Sequence, residues 1–231
     1  MSSASLDGPR LAPASGQAKQ LVVLLHGYGA DGKDLLGLAP HWQRLLPDAA
    51  FVAPNAPERC AGSPGYQWFA ISRLDARELE QGVAAAAPRL EAFLDAECLK
   101  HRIGPERVAL VGFSQGTMMA LSVGLRRAVR PAAIIGYSGI LVGGEHLAPQ
   151  PEPKPPVLLV HGTADELIPD GMMMQAAMAL GASGVPVQWH RSPGLGHGID
   201  ETGLALGGNF LAAAFAGGLH CPAPASCLTK K

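Results

Sequence analysis

Short apolar runs, each ending at a glycine or a polar turn, recur along the chain: QLVVLLH at 20 to 26, AAFVAP at 49 to 54, RVALVGF at 107 to 113, AAIIGYS at 132 to 138 and VLLVHG at 157 to 162. Runs of this length without polar alternation predict strands buried on both faces. A later stretch, VPVQWHR at 185 to 191, alternates polar and apolar positions and predicts one more strand of the same sheet. Between the runs, apolar positions return with helical spacing at roughly 33 to 46, 76 to 100, 115 to 129, 171 to 182 and 200 to 215. Asp75 stands where it would cap the second of these helices, and Gly181 where it would stop the fourth. Pro88, inside the longest, removes one backbone hydrogen bond and meets the carbonyl of Ala84, which predicts a kink. Strands that alternate with such helices require right-handed crossovers, so the fold class is α/β with a doubly wound, mostly parallel sheet.

The alternation covers residues 20 to 216 as one domain. It leaves an N-terminal segment at 1 to 19, read as partly extended, and a C-terminal tail at 217 to 231 without periodicity. Two inner stretches also resist it, 55 to 74 (NAPERCAGSPGYQWFAISRL) and 139 to 156 (GILVGGEHLAPQPEPKPP). Loops this long in a compact domain tend to carry function, and these hold Trp68, Phe69, Ile140 and Leu141, which a mere linker does not need.

Composition narrows the partners. With 48% hydrophobic and 16% charged residues in 231, there is material for one sizeable core. A formal net charge of −1, and no basic cluster longer than Arg126-Arg127, argue against nucleic acid or an anionic membrane surface as partner. No apolar stretch reaches the roughly 18 residues of a membrane span, and MSSASLDGPRLAPASGQAK lacks the apolar centre of a secretory signal, so a cytoplasmic location is expected. Cys60, Cys98, Cys221 and Cys227 are too scattered for a zinc site and are expected as reduced thiols.

Against that background LVGFSQGT, at 110 to 117, stands out. A serine between two glycines, where a buried strand meets a helix, has the pattern of a nucleophile elbow. A serine hydroxyl of ordinary pKa is a poor nucleophile and needs a histidine base and a backbone that thrusts Oγ beyond the sheet. Gly112 and Gly116 remove the side chains that would collide across so sharp a turn around Ser114. The plain alternative is an ordinary strand-to-helix turn.

An elbow demands an acid and then a histidine later in the chain, each in a loop after a strand. Asp165, in HGTAD after VLLVHG, can accept from an imidazole N–H and fix its tautomer. Asp170 and Asp200 each begin a helix and are explained as first-turn or capping acids. Of the eight histidines, His197 in PGLGHGID lies in a glycine-rich loop that lets the ring reach back over the sheet, and it is the expected base. His26 and His161 end strands and are expected to make structural hydrogen bonds. The oxyanion needs backbone donors, expected from the N–H of Gln115 at a helix start and of Tyr28 in LLHGYGADG. A phosphate loop is the rival reading of that stretch, but it lacks the GK[ST] ending and the GxGxxG spacing.

LHGYGADG, GFSQG, HGTAD and GHG in this order, with a WF pair between, resemble the small carboxylesterase/phospholipase family that includes acyl-protein thioesterases and lysophospholipases. The similarity spans roughly residues 10 to 216, and LHGYGAD resembles the bacterial branch. The resemblance implies an α/β-hydrolase fold, the triad Ser114, Asp165 and His197, the oxyanion positions Tyr28 and Gln115, and hydrolysis of short- to medium-chain esters, or of acyl thioesters or lysophospholipids. It implies no cofactor and no metal. Spacing adds that there is no cap domain, since one helix alone separates the elbow strand from AAIIGYS. An open groove is then expected between the two long loops, with Trp68, Phe69, Ile140 and Leu141 touching the substrate and offering a second copy of the chain a surface for a homodimer. The alternative for these side chains is burial in the core, and the alternative for the whole is a hydrolase fold kept for binding without catalysis.

Overall fold

Alternate residues of each apolar run face opposite sides of one sheet, and both sides are covered. The computed structural model describes residues 5–73, 75–144 and 154–219. Its strands are β1 (Arg10–Leu11), β2 (Gln20–Leu25), β3 (Ala49–Val52), β4 (Glu58–Arg59), β5 (Tyr66–Gln67), β6 (Val108–Phe113), β7 (Ala133–Tyr137), β8 (Val157–Gly162) and β9 (Val187–Ser192). The helices are α1 (Gly32–Leu36), α2 (Ala39–Trp42), α3 (Ala76–His101), α4 (Gln115–Gly124), α5 (Gly171–Ala182) and α6 (Glu201–Phe215). On β2, Leu21, Val23 and Leu25 join a core built with α3, α4 and α5, while Val22 and Leu24 join a second core with α1, α2 and α6. The strands β6, β7 and β8 divide their residues between the same two cores. Burial on both faces explains why their sequences show no polar alternation.

The main sheet runs β1-β3-β2-β6-β7-β8-β9 and is parallel except for β1, which pairs antiparallel with β3. The expected α/β class, with a doubly wound and mostly parallel sheet, is what the chain adopts. At its far edge β9 is half exposed, and Trp189 stands 51% open to solvent. That edge placement accounts for its polar alternation. The short β1 lies in the N-terminal segment, where Arg10 ties it to the buried Glu97 of α3 at 2.7 Å.

Two helices depart from their expected bounds, and a third runs unbroken past a proline. The stretch 33 to 46 is two short helices, because Gly37 closes α1 and Pro40, which has no N–H to donate, is confined to the first turn of α2. The helix expected over 115 to 129 ends at Gly124. Helix α3 continues through Pro88, which lies with Ala84 on the exposed face, where water can reach the carbonyl that Pro88 leaves unpaired. Asp75 caps α3 as expected, accepting from the Glu78 N–H at 2.9 Å. Leu74, the stretch 145–153 and the tail from 220, with Cys221 and Cys227, lie outside the described residues.

Candidate active site

Ser114 sits between β6 and α4 with φ 53° and ψ −116°, a backbone conformation that costs a non-glycine residue energy. Its neighbours hold it there. The Ser114 N–H donates to the Tyr137 carbonyl on the adjacent strand at 2.9 Å, and the single Thr117 Oγ1 proton is shared between the carbonyls of Gly112 (2.9 Å) and Tyr137 (2.8 Å). A Cβ on Gly112 would run into the backbone of Gly116, and one on Gly116 would run into the carbonyl of Leu25. The two glycines are therefore required by close backbone approach. The Ser114 side chain does not cap α4, so its hydroxyl is not used in holding the turn.

Asp165 and His197 come together from the loops after β8 and β9. His197 Nδ1 lies 2.8 Å from Asp165 Oδ2. The carboxylate side chain has no solvent exposure, and its other oxygen accepts the N–H groups of Leu167 (3.0 Å) and Ile168 (2.9 Å). Burial pushes the Asp165 pKa up, but the Ile168 N–H and His197 outweigh it and leave it below the ordinary carboxylate value. The two loops are stitched by Thr163 N–H to Ser192 O (3.0 Å) and Ala164 N–H to Leu195 O (2.9 Å). Ser138, another positive-φ residue (45°), donates its hydroxyl to Gly198 O at 3.1 Å and anchors the histidine loop to the end of β7. The His197 ring packs on Phe113, centroid to centroid 4.9 Å, which puts it beside Ser114 in the chain. Among the described residues Ser114 Oγ makes no hydrogen bond to His197.

The loop after β2 closes on the same place. A Cβ on Gly27 would stand 3.3 Å from the Cβ of Ser114, so Tyr28 follows a residue in contact with the elbow. The flanking groups of this loop are engaged: Gly29 N–H donates to Tyr66 O (2.8 Å), Tyr66 N–H to Ala30 O (2.8 Å), and Ser63 Oγ to Gly29 O (2.8 Å). The N–H groups of Tyr28 and Gln115 donate to no acceptor among the described residues. His26 and His161 make the structural bonds expected of them. His26 bridges Gly27 O (2.7 Å) and Ala56 N–H (2.9 Å), and His161 Nε2 meets Ile168 O at 2.8 Å. The same His161 nitrogen lies 3.1 Å from Asp165 Oδ2, a contact that sequence reasoning missed.

The expected substrate wall is only partly where it was placed. Trp68 and Phe69 are 1% and 4% exposed and belong to the core with α3 and α4, so they do not line a groove. Their burial has a polar anchor: the Trp68 indole N–H bonds the His26 carbonyl at 2.9 Å, directly after the small β4–β5 hairpin of the 54–73 connection. With them goes the aromatic rim on which the homodimer expectation rested. Ile140, 8% exposed, and Leu141, half-buried, do border a cleft of about 500 Å³ against α5, together with Met172, Gln175 and Ala179. Gly139, the residue before Ile140, packs against the elbow, since a Cβ there would meet the Ser114 carbonyl at 2.8 Å. Of the three methionines that open α5, Met172 to Met174, only Met173 is fully buried. Asp170 pairs with Arg191 (2.7 Å from Nε) and Asp200 caps α6 through Gly203 N–H (2.7 Å), so neither competes for His197.

A family model described as phospholipase/carboxylesterase matches residues 6–215. The chain belongs to the phospholipase/carboxylesterase family. It is a hydrolase of the serine-esterase type with the α/β-hydrolase fold. The crystal structure of esterase PE8 is 44% identical, with a TM-score of 0.86 over 90% of this chain and 98% of that one. Acyl-protein thioesterase 1 of Gibberella zeae is 29% identical over 82% of this chain and 88% of its own length. Esterase YpfH of Escherichia coli is 27% identical over 81% of this chain and 79% of its own length. No helix among the described residues of this family member is long and apolar enough to cross a membrane.

Proposed function

We propose that the chain is a carboxylesterase that cleaves short- to medium-chain esters through an acyl-enzyme on Ser114. The observation that carries this is the 2.8 Å bond between His197 and a fully buried Asp165, with the imidazole resting on the residue before a strained, glycine-flanked serine. His197 Nε2 takes the Ser114 proton as Oγ bonds to the ester carbon. Asp165 holds the Nδ1–H tautomer and stabilises the imidazolium that forms. The carbonyl oxygen, now anionic, is received by the free N–H groups of Tyr28 and Gln115, the second at the N-terminus of α4 where the helix dipole favours negative charge. Expulsion of the alcohol takes the proton back from His197, and water then repeats the sequence to release the acid. The absent Ser114–His197 hydrogen bond is compatible with this, because such contacts tighten only when substrate arrives. The acyl chain is assigned to the cleft between Ile140, Leu141 and Met172.

A thioesterase reading of the same site is favoured by the relatives named acyl-protein thioesterase, and the same attack serves a thioester carbonyl. A panel of esters and thioesters of graded length separates the two. For the site itself, Ser114→Ala is expected to lower kcat about a millionfold, as in serine hydrolases generally. A fluorophosphonate probe should label the wild type and not the variant. Near-full hydrolysis by Ser114→Ala, or a folded wild type that resists the probe, would overturn the assignment, the latter in favour of a binding protein.

A further inference from the structure

Gln115 supplies a backbone N–H to the proposed oxyanion site, but its side chain is 1% exposed and points elsewhere. It lies along the backbone of the 54–73 connection. Its Oε1 accepts from the Trp68 N–H at 2.9 Å and its Nε2 donates to the Phe69 carbonyl at 2.7 Å. The orientation of the amide is unambiguous, since a backbone N–H can only donate and a carbonyl can only accept. Two residues before Trp68, Tyr66 exchanges both of its backbone hydrogen bonds with the loop that carries Tyr28, through Gly29 and Ala30. Trp68 adds a third tie from its indole to the carbonyl of His26, the residue after β2. The Gln115 and Tyr28 amides are thus the two ends of one hydrogen-bonded path: Gln115 side chain, Trp68 and Phe69, Tyr66, Gly29 and Ala30. In that path Gln115 is the link between the elbow and the connection.

We propose that the Gln115 side chain is a positioning residue that sets the spacing of the two oxyanion donors by clamping the Trp68–Phe69 backbone to the elbow. The proposal rests on the reading of Ser114 as nucleophile and of Tyr28 and Gln115 as the donors. An apolar residue here would leave a buried N–H and a buried carbonyl unpaired, and the connection would draw away from the elbow and carry the Tyr28 loop with it. The ester in its ground state makes little use of the two amides, whereas the tetrahedral anion needs both at bonding distance at once. Misplacement therefore reaches kcat and spares KM.

The test compares the wild type with Gln115→Met, which keeps length and removes both polar atoms, and Gln115→Glu, an isostere that regains the donor only when its carboxyl is protonated. For Met, the expected result is a fall in kcat of roughly 10- to 100-fold with KM within about twofold, less than the loss of a whole oxyanion donor. The affinity for a trifluoromethyl ketone, which Ser114 converts to a hemiketal anion, should weaken by a similar factor. For Glu, the ratio of its kcat to that of the wild type should climb as pH is lowered, because each value is taken against an enzyme with the same His197. Labelling by fluorophosphonate in every variant certifies the nucleophile separately, so its loss in the wild type would sink the underlying reading and not the clamp alone. A folded Met variant with wild-type kcat, or with reduced kcat and unchanged ketone affinity, overturns the proposal. Should the Met variant fail to fold, the Glu ratio decides: a rise toward acid supports the clamp and a flat ratio overturns it.

Discussion

The connections 54–73 and 139–144 leave the same edge of the sheet, after β3 and β7, and each carries large apolar side chains, yet they do opposite things. In the first, Trp68 and Phe69 turn inward, and two backbone positions are clasped by Gln115. In the second, Leu141 remains half-buried and borders an open cleft with Met172 of α5. The difference lies in polar partners. The first connection finds hydrogen-bond acceptors and donors at its base for Trp68 Nε1, Trp68 N and Phe69 O, so burying Trp68 and Phe69 leaves none of these three groups unpaired. The first connection is thus welded to the elbow, and the second is the looser one, which the proposed function sets against substrate.

The largest effect expected of this contrast is on stability. Trp68→Ala should cost about 3–5 kcal/mol, the usual range for removing a buried Trp, and also leaves the His26 carbonyl without its indole donor. For a domain of this size that is a fall in Tm of roughly 6–20 °C. Chain-length preference, read as the ratio of kcat/KM across an ester series, should stay within about twofold. The contrast breaks if the variant melts like the wild type and changes its preference, for then Trp68 would be a substrate contact after all.

The weld is also expected to depend on pH, through His26. Its Nε2 accepts the Ala56 N–H while its other nitrogen faces Gly27 O, so the ring is held neutral at the root of the first connection. Burial keeps its pKa below the ordinary 6.5, against a smaller upward pull from the Gly27 carbonyl. Between that lowered value and 6.5 the unfolded chain binds a proton that the folded one refuses, so stability falls as pH drops through this window. The slope from one such group is at most about 1.4 kcal/mol per pH unit. Urea midpoints at pH 7.5 and 5.5 should show it, and His26→Gln should lower the midpoint at the higher pH yet reduce the difference between the two. An equal difference in both proteins would remove His26 as the sensor.

Much of this arrangement could be read from the chain because two kinds of signal are local. Runs such as QLVVLLH and VLLVHG declare a doubly covered sheet wherever they occur, and a serine between glycines at a strand end declares a close backbone approach that no larger residue allows. The carboxylate and imidazole were legible through their order and their loops. What stayed hidden depends on long-range pairing. Nothing in YQWF says that its backbone finds Gln115, some 46 residues on, or that His161 touches Asp165 as well as Ile168 O. The general tendency of Trp and Phe to be buried was the available hint for Trp68 and Phe69, and it outweighs loop position. Strand β1 is too short for any periodicity, and it is held by its long-range pairing with β3 and by the Arg10–Glu97 contact.

The smallest effect belongs to the looser wall. Met172 is 36% exposed at the start of α5, and Leu141 faces it across the cleft, so trimming either should disturb the core little. Each methylene of an acyl chain that gains apolar contact contributes about 0.8 kcal/mol, close to fourfold in an equilibrium or a rate. Met172→Ala and Leu141→Ala lengthen the cleft and are expected to move the optimum of kcat/KM toward longer chains by one or two carbons, with several-fold changes in the ratio of long to short esters. Their Tm should shift far less than that of Trp68→Ala. Side chains that bind an acyl group are free to vary in size because their packing is completed by substrate, whereas those under the oxyanion loop are already packed on every side. If the alanine variants lose stability and leave the optimum in place, the acyl chain lies elsewhere and the second wall is as structural as the first.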